Sequence, residues 1–176
     1  LAIAAVGKRD LAKADTLLAK AGPLVAAFQK SEKRKIALQA LLHSSRASLA
    51  EARGDWAESQ KQVEAWLALN PNNSRALHAL ARCLLKQNQE EAALKTLRDA
   101  AKLEPDAPPP EIKLAQMHQQ FGDLKRAEKW ITAALAAHPK NLAVLLFASQ
   151  FALETGKLDE ARRQSIAAIR LDGESL

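Results

Sequence analysis

The sequence contains few of the residues that form cross-links or large aromatic clusters. Its 176 residues include a single cysteine, no tyrosine and only 4% aromatic residues. Cys83 cannot form a disulfide within the chain, and its position between Ala81 and Leu84 predicts a small buried side chain rather than a reactive thiol. No apolar run reaches the roughly 20 residues that cross a bilayer. Such a chain is compatible with the cytoplasm and with a bacterial periplasm.

Patterns that indicate catalysis or metal binding are also missing. The four histidines fall on separate predicted elements, with no ligand-like spacing to the cysteine or to paired carboxylates: His43, His78, His118 and His138. The sequence has no glycine-rich phosphate loop and no nucleophile elbow. We therefore predict that the protein is not an enzyme and that it binds no cofactor and no metal.

Turn-forming residues recur with a constant period. The first set, spaced 34 residues apart, is Gly54, Asn88, Gly122 and Gly156. The second set keeps the same step and consists of Pro71, Pro105 and Pro139, with Gly173 where the next proline would fall. Two sets of helix breakers with one period indicate one structural unit repeated four times. The predicted units are residues 40–73, 74–107, 108–141 and 142–175, each with one helix before the Gly/Asn turn and one before the Pro turn.

Small side chains recur at fixed places in these units, where a place is the position counted from the first residue of its unit. The eighth place holds Ala47, Ala81, Ala115 and Ser149, and the twentieth holds Ser59, Ala93, Ala127 and Ala161. Small residues at a contact allow two helices to approach closely. Apolar residues follow the spacing of an amphipathic helix between them. Each unit is therefore predicted to be a helical hairpin.

Together these features resemble the tetratricopeptide repeat family over residues 40–173. Ala100, Ala134 and Ala168 supply the small residue at place 27, and proline recurs at place 32. The resemblance implies an all-α fold, a right-handed superhelical solenoid of antiparallel helix hairpins whose first helices line a concave groove. It also implies a scaffold that binds other proteins. Trp66 departs from the pattern at place 27 of the first unit, which predicts irregular packing there.

Residues 1–39 do not follow the period. We predict a degenerate, offset helical hairpin that represents a truncated upstream repeat, in one continuous domain that is a fragment of a longer protein. Residues 1–6 would end a first helix, and a second helix capped by Asp10 would end at Gly22-Pro23. From Ser31 no breaker occurs before Gly54, so the next helix should be longer than its counterparts.

Polar residues beside the turns are predicted to cap the helices that follow them. Asp55, Asp123 and Asp159 recur near the mid-unit turns, where a carboxylate can accept from free backbone N–H groups. Ser74 is the predicted cap after the turn at Pro71. Capping explains these residues better than acid catalysis does.

The basic charge is concentrated at one end of the sequence. The net charge is +6, and residues 1–39 carry eight basic and three acidic groups. The one dense basic run is Lys30, Lys33, Arg34 and Lys35, which a solvated helix face explains. A protein that follows a phosphate backbone should spread its cations along the repeats. Nucleic-acid binding through Lys30 to Lys35 is therefore the least favoured of the functions considered.

The resemblance indicates which residues face the groove, at places 2, 5, 9, 12 and 13 of the first helices. In the second unit these places supply a basic stripe of Arg75, His78, Arg82 and Lys86. The third and fourth units supply the amides Gln116, Gln119, Gln120 and Gln150, with Leu146 and Leu153. The first unit supplies Leu41, Ser44, Ser48 and Glu51.

Arginine can bind a carboxylate through two parallel hydrogen bonds, and glutamine can bond a peptide backbone as donor and acceptor. The groove is therefore predicted to bind a protein segment or peptide that carries carboxylates. Two alternatives stay open. The basic stripe can be solvated surface, and the repeats can form a structural spacer arm of a larger protein or assembly. The sequence leaves the partner and the oligomeric state undetermined.

Overall fold

The computed structural model describes residues 10–173, and it folds them into helices joined by short turns. The helices are α1 (Leu11–Ala26), α2 (Glu32–Arg53), α3 (Trp56–Leu69), α4 (Ser74–Lys86), α5 (Glu90–Ala101), α6 (Pro110–Gln120), α7 (Leu124–Ala137), α8 (Leu142–Glu154) and α9 (Leu158–Gly173). Residues 10–173 contain no strand. The predicted all-α fold of helical hairpins is confirmed. The predicted helix end at residues 1–6 lies outside the described residues.

The chain divides into two compact units, which meet in sequence at Glu104 and Pro105. In the first unit each helix from α1 to α5 packs against the next one. In the second unit α6 packs against α7, α7 against α8, and α8 against α9. The boundaries of the four sequence repeats are not resolved by this division and stay predictions.

The mid-unit turns use residues with positive φ. Gly54, Gly122 and Gly156 adopt φ values of 76°, 79° and 75°. Asn88 adopts a φ of 60° at the equivalent turn of the second repeat. Glycine reaches this region without the steric penalty of a Cβ atom, and asparagine is the residue that most often replaces it at helix ends. These conformations explain the first set of periodic turn residues.

Side-chain caps begin most helices, with two corrections to the predicted set. Asp55 accepts from the Glu58 backbone N–H and Asp123 from that of Arg126, both at 3.0 Å. Asn73, not Ser74, caps α4 by accepting from the Ala76 N–H at 3.0 Å. The predicted cap Asp159 is also wrong, because this residue lies inside the first turn of α9. There its carboxylate is favourably placed near the helix N-terminus without being the cap.

The predicted end of α1 is also wrong. Asp10 caps the helix as expected, but α1 passes through Gly22 and Pro23 and ends at Ala26. The additional turn brings Val25 against the buried cluster that includes Leu18 and Leu42. Burial of this apolar side chain offsets the backbone hydrogen bond that proline cannot donate. The prediction that α2 is unusually long is confirmed, since it has 22 residues and begins at the cap Ser31.

The small residues of the repeats lie at the helix contacts. Ala81, Ala93, Ala115 and Ala127 are fully buried, and Ala47 and Ala161 are each 3% exposed. Ala115 and Ala127 share one cluster with Ile131. The close approach of each pair of helices therefore depends on these side chains.

The first repeat packs differently from the others. Trp66 lies half-buried against Ala47 and Val63, where later repeats have a buried alanine. His43 Nδ1 lies 2.8 Å from Gln62 Oε1, and Gln62 Nε2 donates to Glu58 Oε1 at 2.7 Å. Gln62 is only 9% exposed, so a polar contact replaces apolar packing between α2 and α3. These contacts agree with the irregular packing that the sequence predicts.

Candidate protein-binding groove

A concave surface between α2 and α4 in the first compact unit encloses a cavity with a volume of about 720 Å³. It is lined by side chains from the predicted groove places of two successive repeats, namely Leu41, Ser44, Ser48, Glu51, Arg75 and Arg82. Asn73 and Trp66 also contribute to its wall. The structure therefore brings two residues of the predicted basic stripe together with the groove face of the preceding repeat.

The cation closest to the centre of the stripe is already paired. Arg82 donates from Nη2 to Glu51 Oε2 and forms an ion pair with it. The Glu51 side chain is 13% exposed and that of Arg82 is 39% exposed. Glu51 was expected at a groove place but not as the counter-ion of Arg82. The sequence feature that could have predicted this pair is the opposite charge at place 12 of one repeat and place 9 of the next.

Two other members of the stripe also have partners inside the first unit. His78 Nε2 lies 3.3 Å from Glu104 Oε2, which forms an ion pair when the imidazole is protonated. The Lys86 ammonium lies 5.6 Å from the centroid of the Trp56 ring, a cation–π distance. The four predicted cations are thus brought onto one helix face, but three of them are engaged with side chains of other segments of the first unit.

Arg75 is the exception. It is exposed in the first turn of α4, and its guanidinium forms no ion pair or hydrogen bond with any residue from 10 to 173. Asn73, at the start of the same helix, uses Oδ1 for the cap and keeps its Nδ2 group as a donor. The Arg75 guanidinium and the Asn73 amide group are therefore two donor groups that line the concave surface near the start of α4.

The rest of the groove combines apolar and hydroxyl groups. Leu41 is 52% exposed on the α2 face of the groove. The Ser44 hydroxyl donates to Leu41 O and the Ser48 hydroxyl donates to Ser44 O, both at 3.0 Å. Because each hydroxyl proton is used inside the helix, its oxygen remains available as an acceptor. This surface can take an apolar side chain and accept hydrogen bonds from peptide N–H groups.

The predicted amides of the second compact unit are arranged around one carboxylate. Gln119 Nε2 donates to Glu154 Oε2 at 2.5 Å, and Gln150 Nε2 donates to Glu154 Oε1 at 3.0 Å. Gln116 is half-buried and Gln120 is exposed on α6. Leu146 and Leu153 are 53% and 57% exposed on α8. The structure thus joins Gln119 and Gln150 but leaves an apolar surface beside them.

The predictions for metal ligands and for the cysteine concern residues in the described part of the structure. Within residues 10–173 no group of three or more His, Cys, Asp or Glu side chains could hold a metal ion. Cys83 is fully buried, and this burial raises the pKa of its thiol above the ordinary range, against a smaller opposing effect of its bond to Ser59. The prediction of an unreactive, buried cysteine agrees with this environment. No helix among the described residues has both the length and the apolar character that a membrane crossing requires.

Solved structures with a similar fold include MamA. A crystal structure of MamA is 14% identical, with a TM-score of 0.53, over 99% of this chain and 96% of that chain. A structure of MamA AMB-1 is 17% identical, with a TM-score of 0.51, over 97% of this chain and 94% of that chain. At these identities the likeness concerns the fold alone. No curated protein matches the sequence significantly.

Sequence comparison with protein families gives a more specific result. A family model described as "Tetratricopeptide repeat" matches residues 50–117 and 118–170, which is more than half of the chain. These ranges contain the periodic turn residues except Gly173, and most of the buried small residues described above. The chain belongs to the tetratricopeptide repeat family, a fold of protein-interaction scaffolds.

Proposed function

We propose that the protein is a non-catalytic scaffold that binds a peptide segment or helix of a partner protein in the groove between α2 and α4. The observation that supports this proposal is the open concavity of about 720 Å³, lined by the groove places of two successive repeats. Membership of a family of protein-interaction folds supports the class of function. The affinity we expect is around micromolar, or about −8 kcal/mol.

Each part of the groove suits one part of a peptide ligand. Exposed Leu41 and the ring of Trp66 offer apolar contact to a ligand side chain. The Ser44 and Ser48 oxygens can accept from backbone N–H groups, and Arg75 can bind a carboxylate through two parallel hydrogen bonds. Arg82 contributes to the shape of the groove, because Glu51 already neutralises it.

The other predicted residues have secondary parts in this proposal. His78 and Lys86 border the same helix face, while the second compact unit offers amides for backbone recognition: Gln116, Gln119, Gln120 and Gln150. Gln119 and Gln150 would have to exchange their bonds with Glu154 for bonds with a ligand. We therefore place the principal site in the first unit.

A blocked groove tests the proposal. A displayed library of random peptides is selected against the full chain, and enriched peptides are synthesised for calorimetry. Ser48 is an exposed residue that lines the groove. The variant Ser48→Trp should weaken peptide binding at least tenfold, because an indole fills the space a ligand would occupy. The matched control is Ala68→Trp, at an exposed residue of α3 outside the groove, and it should leave the affinity unchanged.

Two results would contradict groove binding. If no peptide is enriched by the wild-type chain, the structural spacer arm becomes the better explanation. If peptides are enriched but Ser48→Trp and Ala68→Trp bind them as tightly as the wild type does, recognition takes place on another face of the molecule.

A further inference from the structure

The helix α9 carries an exposed apolar surface. Leu158, Ile166 and Ile169 are 67%, 39% and 71% exposed. From the pitch of an α-helix, their side chains fall within about 80° of one another around the helix axis. Apolar residues scattered singly on a surface are common, whereas a group of them on one face marks a site of interaction. We call these three residues the α9 stripe.

The α9 stripe is turned outward relative to the apolar face of the second helices of the other repeats, α3, α5 and α7. At place 24 those helices have buried apolar residues, namely Val63, Leu97 and Ile131. At place 25 they have exposed polar residues, namely Glu64, Arg98 and Thr132. In α9 the two types are exchanged, with Ser165 at place 24 and Ile166 at place 25. Because one residue is about 100° of rotation, the exchange moves the apolar side chain away from the contact between helices.

The residue at place 24 also contributes to the contact between the third and fourth repeats. Ile131 of α7, at this place, shares a buried cluster with Ala148 and Phe151 of α8. In α9, Ser165 is engaged within its own hairpin instead, with its hydroxyl 2.7 Å from that of Ser149. A repeat stacked on α9 in the same way would lack this apolar contact. The α9 stripe therefore suits a different kind of partner.

Unpaired charges lie at both ends of the α9 stripe. Asp159 follows Leu158, and Arg170 follows Ile169. Both charged side chains are exposed, and neither forms an ion pair or hydrogen bond with any residue from 10 to 173. The stripe therefore has a negative charge near the beginning of the helix and a positive charge near its end.

The spacing of these residues makes the surface self-complementary. Leu158 and Ile169 are 11 residues apart, and so are Asp159 and Arg170. Eleven residues are close to three helical turns, so the members of each pair lie on one line along α9. When two copies of α9 lie antiparallel about a two-fold axis, Leu158 faces Ile169 of the second copy and Asp159 faces Arg170 of the second copy. The symmetry forms each of these contacts twice.

We propose that the α9 stripe is an interface between two copies of this chain, which associate through antiparallel contact of their α9 helices. This inference does not depend on the groove between α2 and α4. One pair of helices buries less surface than the roughly 1,200 Å² of a stable interface, so the dimer is weak. Arg162, between the ends of the stripe, weakens it further because its charge has to stay solvated. We expect a dissociation constant on the order of 10–100 µM.

Sedimentation of the full chain tests the inference. Between about 5 and 500 µM the wild type should pass from the 19.1 kDa monomer towards a species of twice that mass. Ile169→Gln should weaken dimerisation at least tenfold, because it places a polar side chain against Leu158 of the second copy. The matched control Leu24→Gln replaces an apolar residue of α1 that is 73% exposed, and it should leave the association unchanged.

Charge exchange tests the antiparallel register. Asp159→Arg or Arg170→Asp alone places like charges opposite each other at both ends of the interface, so each variant should dimerise at least fivefold more weakly at low salt. An equimolar mixture of the two variants restores opposite charges at both ends, and it should dimerise to within about threefold of the wild type. Circular dichroism would confirm that both variants keep the wild-type helical content.

Each contrary result overturns a defined part of the inference. A wild type that stays monomeric over the whole range of concentration would overturn self-association and leave the α9 stripe to a helix of a different protein. A dimer that Ile169→Gln and Leu24→Gln affect equally would place self-association on another face. A mixture that associates no better than the separate charge variants would overturn the antiparallel register. None of these results changes the outcome of the peptide selection that tests the groove.

Discussion

The two compact units use the same helical hairpin but differ in what their first helices leave exposed. In the first unit, the groove face carries charges, with Arg82 paired to Glu51 and Arg75 directed to solvent. In the second unit, the corresponding face carries the exposed leucines Leu146 and Leu153 beside amides. The hairpin geometry therefore does not determine the chemistry of this surface.

The comparison separates the residues that hold the hairpins from those available for recognition. The small residues at place 8 are buried in both units, with Ala81 and Ala115 fully inaccessible to solvent. Packing permits little change there, because interiors are filled nearly as densely as crystals. On the exposed face of the first helices no such constraint acts, so its composition can vary without disturbing the hairpin.

The largest expected effect comes from enlarging the small residues in either unit. Ala81→Leu and Ala115→Leu should each lower the free energy of unfolding by about 1–3 kcal/mol, because the larger isobutyl side chain of leucine forces the two helices of a hairpin apart. Urea unfolding followed by circular dichroism measures the loss. The controls Ala52→Leu and Ala136→Leu, at exposed residues of α2 and α7, should change stability by less than about 0.5 kcal/mol.

Equal losses at place 8 in the two units would support a shared scaffold. A loss of stability in one unit alone would mean that the two hairpins are not packed equally tightly, and that one unit tolerates a wider separation of its helices.

A smaller effect should distinguish the carboxylates of the two groove faces. Glu51→Gln removes the ion-pair partner of Arg82 in a half-buried site, and we expect a loss of about 1 kcal/mol after allowance for solvent screening. Glu154→Gln affects an exposed carboxylate that accepts from two amides, and its effect should stay below about 0.5 kcal/mol.

A double-mutant cycle sharpens this prediction. The double variant Glu51→Gln/Arg82→Gln should lose less stability than the sum of the losses in the two single variants, because Arg82→Gln removes the charge that Glu51→Gln leaves unpaired. Strict additivity would show that the Arg82–Glu51 contact contributes nothing to stability.

The two units should also respond differently to alkaline pH. Cys83 in the first unit and Met117 in the second occupy the same place in their repeats, and both are buried. Burial raises the pKa of the Cys83 thiol, so the folded state favours the neutral form. This contribution is complete below the pKa of the unfolded thiol and is lost as pH rises through the folded pKa. Stability should therefore fall more steeply above about pH 9 in the wild type than in Cys83→Ala.

Unfolding in urea at pH 7 and at pH 10 measures this difference. The variant Met117→Leu, which removes no titratable group, should keep the wild-type pH dependence. If Cys83→Ala loses stability between these pH values as steeply as the wild type does, thiol ionisation is not responsible.

Most of the fold follows from local features of the sequence. Gly54 and its periodic counterparts end helices because glycine and asparagine adopt positive φ at little cost, and the burial of Ala81 follows from helical spacing. Features that depend on tertiary packing were harder to predict. Val25 packs against the core and extends α1 past Pro23, which outweighs the local tendency of proline to end a helix.

The groove was predictable in outline but not in its charges. In the structure Arg75 and Arg82 line the same concave surface as Ser44 and Ser48, which are residues that the family pattern assigns to the groove. The pairing of Arg82 with Glu51 depends on how two neighbouring helices pack, which the spacing within one helix does not specify.

The smallest expected effect concerns the exposed leucines of the second unit. Leu146→Gln and Leu153→Gln should each change the free energy of unfolding by less than about 0.5 kcal/mol, because both side chains are already more than half exposed. The matched variant Leu145→Gln replaces a neighbouring leucine of α8 that is 3% exposed, and it should cost more than about 2 kcal/mol. If the two exposed positions were as costly as Leu145, they would belong to the scaffold, and the groove face of the second unit would be fixed by packing. If only Leu145→Gln is costly, as expected, packing does not fix the exposed face of α8, and its composition is free to differ from the charged face of the first unit.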